Sequence, residues 1–163
     1  MTQRVRRITF TATAVLAALV LAFVVAQDAM MADHRPEYAD WTRLNPQKNF
    51  IASAHPTAKD IYVNDAGRDA ALERSFPFPE GSELVKESID VDTLNVTVMT
   101  VMRKVAGFDP ANGDWQYAMF ERMDDGTFGG MWAEAGSDMH LMCVGCHTGA
   151  AATDYAFLSY TGD

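Results

Sequence analysis

Cysteine is almost missing from this chain: Cys143 and Cys146 are the only two among 163 residues. So small a supply excludes a disulfide-stapled scaffold and leaves both thiols free for other chemistry. Basic charge is scarce as well. Thirteen Lys and Arg face 22 Asp and Glu, a formal net charge of −9. That balance argues against nucleic acid and anionic membranes as partners. Internal repeats and low-complexity tracts are absent, and so are long crossover segments between the strand candidates. Without crossovers a parallel sheet cannot be built, so antiparallel pairing is expected.

What is present is concentrated near the C-terminus. Cys143-Val144-Gly145-Cys146-His147 reads C-x-x-C-H, the attachment signature of a c-type haem. The spacing has a chemical reason. Each thiol adds to one haem vinyl group, and two intervening residues let both sulfurs reach from one turn of backbone. The next residue then brings its imidazole to the iron as the proximal ligand. Three other interpretations compete. A thioredoxin-like redox pair should follow a strand in a βαβ unit, and none precedes Cys143. A zinc site from His140, Cys143, Cys146 and His147 would ask adjacent residues to bind one metal, which tetrahedral sites seldom do. The third is a chance match.

The N-terminus agrees with haem c. Arg4, Arg6 and Arg7 form a basic stretch, and Ile8 to Ala26 is apolar apart from Thr9, Thr11 and Thr13. Val24-Val25-Ala26 offers small residues for cleavage before Gln27, so residues 1–26 are expected to be a signal peptide, with an uncleaved membrane anchor as the alternative. Either way the expected location is the periplasm, where haem c is attached. Residues 27–36 read as a flexible spacer and 37–163 as one domain. Loss of residues 1–26 removes three basic residues and no acidic one, which suits a basic redox partner and equally an ordinary exported protein.

Along the domain, Pro36–Leu44 is predicted as a short helix, with Pro36 in its first turn and Tyr38, Trp41 and Leu44 at near-helical spacing. Asp60–Asn64 is a strand candidate, and Asn64 can cap a helix over Ala66–Arg74. Pro77, Pro79 and Gly81 break that helix. Ser82–Ser88, Leu94–Met102 and Trp115–Phe120 are strand candidates, the second β-branched and alternating. Asp124-Asp125-Gly126 and Gly129-Gly130 are predicted loops, and a largely helical segment from Ala133 to Ala152 carries the haem motif. The expected fold class is α+β, an antiparallel β-sheet with flanking helices. Most small c-type cytochromes are all-helical with the motif near the N-terminus, so the usual electron-carrier fold is disfavoured.

Ile61-Tyr-Val-Asn64 before an alanine-rich helix, Phe78-Pro-Glu-Gly-Ser-Glu-Leu-Val-Lys-Glu87, Gly113-Asp-Trp115, Cys143-Val-Gly-Cys-His147 and Thr153-Asp-Tyr-Ala-Phe157 together resemble the cytochrome P-460 and cytochrome c′-beta family. The resemblance spans roughly residues 40–158. It implies one covalent haem c on Cys143 and Cys146, with His147 as the iron's proximal ligand. It also implies an iron face open to small nitrogen compounds such as hydroxylamine or nitric oxide, and a homodimer. In cytochrome P-460 proper a lysine of the V-K-E segment is bonded to the porphyrin, and Lys86 holds that position. Strand alternation puts Ser82, Leu84, Lys86 and Ser88 on one face and Glu83, Val85 and Glu87 on the other. An inward Lys86 is expected from the motif, against a solvated lysine from spacing alone.

Hydroxylamine-oxidising members of that family have a carboxylate near the open iron face, and Leu94–Met102 offers Thr97, Met99 and Thr100 but no Asp or Glu. This leaves three functions: an oxidoreductase of the cytochrome P-460 type, a gas-binding protein of the c′-beta type, or a plain electron-transfer protein with Met99 or Met102 as sixth ligand. Most of the ten methionines are expected to fill the core. His140 is expected at the surface and His55 in a loop. Phe76 and Phe78 are expected in the core, with capping of the distal pocket as the alternative that the c′-beta resemblance raises. Trp41, Trp115 and Trp132 are expected as core or haem-wall residues.

Overall fold

The computed structural model describes residues 36–45 and 58–158. The signal segment, the residues of the spacer before Pro36, and His55 lie outside the described residues. Among the described residues no helix is long and apolar enough to cross a membrane. Six strands form one sheet in chain order: β1 (Thr42–Arg43), β2 (Ala58–Val63), β3 (Glu83–Ile89), β4 (Val96–Lys104), β5 (Trp115–Arg122) and β6 (Phe128–Trp132). Every neighbouring pair is antiparallel. Helix α1 (Asp65–Glu73) lies between β2 and β3, and α2 (Asp138–His147) follows β6 and carries the C-x-x-C-H motif. The fold is α+β, as the absence of crossovers implies.

Asn64 shows how one side chain joins local and tertiary structure. Its Oδ1 accepts from Gly67 N at 3.1 Å, capping α1, and from Glu83 N at 3.0 Å, while its Nδ2 donates to Gly81 O at 2.8 Å. The helix start is thereby tied to the start of β3. Gly67 allows close approach: a Cβ there would meet Val63 Cγ2 at 2.9 Å. Arg74 ends α1 in the left-handed region ahead of the prolines.

The helix expected over Pro36–Leu44 forms only in its first part, and as a 3-10 rather than an α-helix. A 3-10 turn covers Pro36–Asp40, and Thr42 and Arg43 then pair with Val63 and Tyr62. Leu44 N donates to Ile61 O at 2.8 Å. Near-helical spacing of three apolar residues is a weak signal, and the edge of β2 supplies backbone partners that override it. Gly129 and Gly130 also depart from expectation: they lie within β6. A Cβ on Gly130 would overlap the Met119 carbonyl oxygen and lie 2.7 Å from Phe120 Cα. Here glycine permits close backbone approach rather than a turn.

Side-chain alternation divides the core. One face buries Val63, Leu84, Met102, Trp115 and Tyr117 beneath Phe78, Ala156 and Leu158. The other buries Val85, Met99, Val101, Ala118, Phe120 and Trp132, with Tyr38 and Trp41 packed against them. On this second face Tyr38 donates its hydroxyl to Glu87 Oε1 at 2.5 Å, with the Tyr62 ring edge-on at 5.4 Å. Arg43 pairs with the buried Asp60. Trp115 and Trp132 are core residues, as expected, and Trp41 is half-buried.

Gly130→Ala is expected to lower unfolding free energy by about 2 kcal/mol or more in chemical denaturation, because only movement of β5 relieves the overlap. Gly129→Ala, whose Cβ meets the movable Met123 Sδ at 3.3 Å, is expected to cost less. Burial, then the bond to Glu87, holds the Tyr38 phenol well above its ordinary value. The folded form therefore keeps its proton where the unfolded chain loses it. Its stabilising contribution is present below pH about 10 and lost as pH rises further. Tyr38→Phe should cost about 1–2 kcal/mol at pH 8 and flatten the loss of stability above pH 10, as read from denaturation midpoints.

Candidate functional site

Ser137 caps α2, its Oγ accepting from His140 N at 3.3 Å. The helix then places Cys143, Cys146 and His147, at positions i, i+3 and i+4, on neighbouring parts of its surface. Both thiols are free; Cys143 is half-buried and Cys146 exposed. The His147 ring is fixed from several sides. Its Nδ1 lies 2.7 Å from Tyr155 O, and a carbonyl only accepts, so Nδ1 carries the proton and the Nε2 lone pair is free. Tyr117 and Phe157 flank it at ring-centre distances of 5.0 and 5.3 Å. Burial pushes its pKa down, the Tyr155 carbonyl opposes that, and the Lys86 charge adds to it. The balance favours a neutral imidazole, the state in which histidine binds metals.

A cavity of about 440 Å³, counting its open mouth, lies beside this ring. Ile61, Leu84, Lys86, Thr100 and Met102 line it from the sheet, and His147 and Phe157 from the C-terminal segment. Lys86 and His147, far apart in sequence, therefore face one space. Desolvation pushes the Lys86 amine down to about 8, and the nearby Lys59 charge adds to that. Among the described residues no carboxylate lines the cavity. One does share its sheet face: Glu121 is exposed opposite Val98, two residues along β5 from Met119, which is opposite Thr100. Searching β4 alone for an acid missed it. The period-two pattern of β5, counted from Tyr117, is the signal that would have found it.

His140 is not at the surface. It is 2% exposed, accepts at Nδ1 from Gly136 N at 3.1 Å, and has Nε2 3.4 Å from Asp109 Oδ2. The rings of Phe108 and Tyr117 lie beside it at 5.3 and 6.1 Å. Helical phase decides this: three residues before Cys143 and seven before His147, it shares their inward side. The zinc set is not assembled, since His140 turns inward while Cys146 faces solvent. No group of three or more His, Cys, Asp or Glu placed to hold a metal ion occurs among the described residues. Met99 packs in the core of the opposite sheet face, whereas Met102 reaches the cavity. Phe78 is buried against Trp115 at 5.5 Å with Phe76 beside it; neither lines the cavity.

The family model for cytochrome P460 matches residues 35–158. The chain belongs to the cytochrome P460 family. It is therefore a haem-binding cytochrome. No curated protein matches the chain at a significant level. The residues present fit the group that a cytochrome P460 carries. Two free thiols and an imidazole with its Nε2 lone pair unused lie together on α2, beside a cavity lined mainly by apolar side chains. Lys86 presents to that cavity a largely desolvated amine that no carboxylate pairs with among the described residues.

The two histidines of α2 should behave differently on substitution. His147→Ala is expected to change the absorption spectrum of the reduced protein. His140→Phe should leave the spectrum as it is and lower stability by about 1–3 kcal/mol, measured by thermal or chemical unfolding.

Proposed function

We propose that the mature chain is a periplasmic cytochrome with one haem c bonded to Cys143 and Cys146 and ligated by His147. Its open iron face takes hydroxylamine or nitric oxide, and it acts as an oxidoreductase toward a soluble redox partner, as a homodimer. The observation that carries this reading is that Lys86 and the tautomer-fixed His147 line a single cavity. The haem supplies an iron that binds nitrogen and exchanges electrons. The chain's own residues do the rest. His147, with Nδ1 held by the Tyr155 carbonyl, would offer Nε2 to the iron. Ile61, Leu84 and Phe157 exclude water from one side of the cavity. Lys86, with an amine that loses its proton near pH 8, is suited to bond to the porphyrin edge. Bonded there, Lys86 would hold the porphyrin to β3. Oxidation of an amine substrate releases protons as well as electrons, and Glu121 is the carboxylate on this sheet face able to accept them.

A gas-binding role is the second reading, favoured by a cavity lining that holds no carboxylate among the described residues. The two separate cleanly. Proteolysis of the holoprotein and mass spectrometry should return the Lys86 peptide bonded to haem, and the reduced protein should show a strongly red-shifted Soret band. A free Lys86 peptide with an ordinary Soret band would remove the cross-linked enzyme and leave the gas binder. Hydroxylamine-dependent reduction should fall about 10²-fold in Glu121→Gln while nitric oxide binding by the ferrous protein is retained. Equal rates in both proteins would remove Glu121 from the chemistry.

A further inference from the structure

The carbonyl that holds His147 belongs to a residue in an unfavourable conformation. After α2 a 3-10 turn runs over Thr148–Thr153, and then Asp154 (φ 50°) and Tyr155 (φ 65°) both adopt left-handed geometry. Two consecutive non-glycine residues in that region are disfavoured and persist only where their surroundings impose them. The surroundings here are unusually complete. The Asp154 carboxylate is buried, and its Oδ2 accepts from Lys104 Nζ at 2.6 Å and from Phe78 N at 2.8 Å. Its backbone carbonyl accepts from Trp115 Nε1 at 2.7 Å. Tyr155 N donates to Ala150 O at 2.8 Å. Gly113 leaves room for the turn, since a Cβ there would lie 2.7 Å from the Tyr155 ring. The last residue of β4, the first of β5 and the loop before β3 thus converge on Asp154. The outcome is one carbonyl aimed at Nδ1 of His147.

We propose that the Asp154–Lys104 ion pair, with Trp115, is a positioning device for the proximal imidazole. It holds the left-handed turn so that the Tyr155 carbonyl accepts the Nδ1 proton, fixing the ring's tautomer and orientation and raising the basicity of Nε2. The inference rests on His147 being the iron's ligand, as proposed above. A more basic imidazole strengthens the iron–histidine bond and favours the ferric state. Loosening the turn weakens that bond and raises the reduction potential.

The test uses holoprotein carrying Asp154→Asn, Lys104→Met, Lys104→Arg or Trp115→Phe. Resonance Raman spectra of the ferrous protein and a redox titration are the readouts. Asp154→Asn and Lys104→Met should lower the iron–histidine stretching frequency and raise the potential. Trp115→Phe, which loses one hydrogen bond and keeps a ring, should shift both in the same direction by less. Lys104→Arg, which keeps the charge, should restore them toward the original values. Gly129→Ala, remote from the turn, serves as a control for stability alone. Unchanged frequency and potential in Asp154→Asn and Trp115→Phe, with stability reduced, would overturn the inference and leave the ion pair a packing feature. An unaltered protein with no iron–histidine band would instead overturn the ligation on which the inference depends.

Discussion

An imidazole can offer only one nitrogen to a metal, and something must hold the other. In this chain the Tyr155 carbonyl, 2.7 Å from His147 Nδ1, does so. That contact determines which tautomer His147 adopts and which way its free lone pair points. It also explains much of the surrounding construction. Tyr117 and Phe157 limit the ring's rotation, and the Asp154–Lys104 pair keeps the carbonyl in place despite a backbone that ordinary residues avoid. The buried polar cluster around Asp154 thus serves to orient one side chain.

The sheet supplies the second constraint. Because antiparallel strands alternate sides with period two, one face of β2–β5 can pack a core under the C-terminal segment and, one row along, present Ile61, Lys86 and Thr100 to a cavity. The same alternation sends Val85, Met99 and Val101 to a separate core. A lysine on the cavity row is desolvated without becoming fully enclosed, so its amine is shifted toward neutrality while remaining open to whatever fills the cavity. A lysine one residue earlier or later would face the other core.

Several particulars are legible in the sequence itself. Asn64 identified a helix start, strand alternation put Lys86 on the face with Leu84, and C-x-x-C-H fell on the predicted C-terminal helix. The errors share a cause. For Pro36–Leu44, Gly129-Gly130 and His140 the local sequence points one way, whereas a β2 edge, the backbone of β5 and the Phe108–Tyr117–Asp109 surroundings decide the outcome. Glu121 was missed in the same way, since its relation to the cavity depends on register between β4 and β5.

The amino-acid order alone determined the chemistry that can occur: two thiols and an imidazole at fixed helical spacing, and a strand whose alternation puts Lys86 on one face with Leu84. These follow from covalent spacing and local periodicity, which act over a few residues. Tertiary structure alone decided that Lys86 and His147 share a cavity, that Asp154 finds Lys104, and that Tyr155 turns its carbonyl to Nδ1. Each of these joins segments many residues apart, and only the packing of the sheet against the C-terminal segment brings them within hydrogen-bonding or electrostatic range.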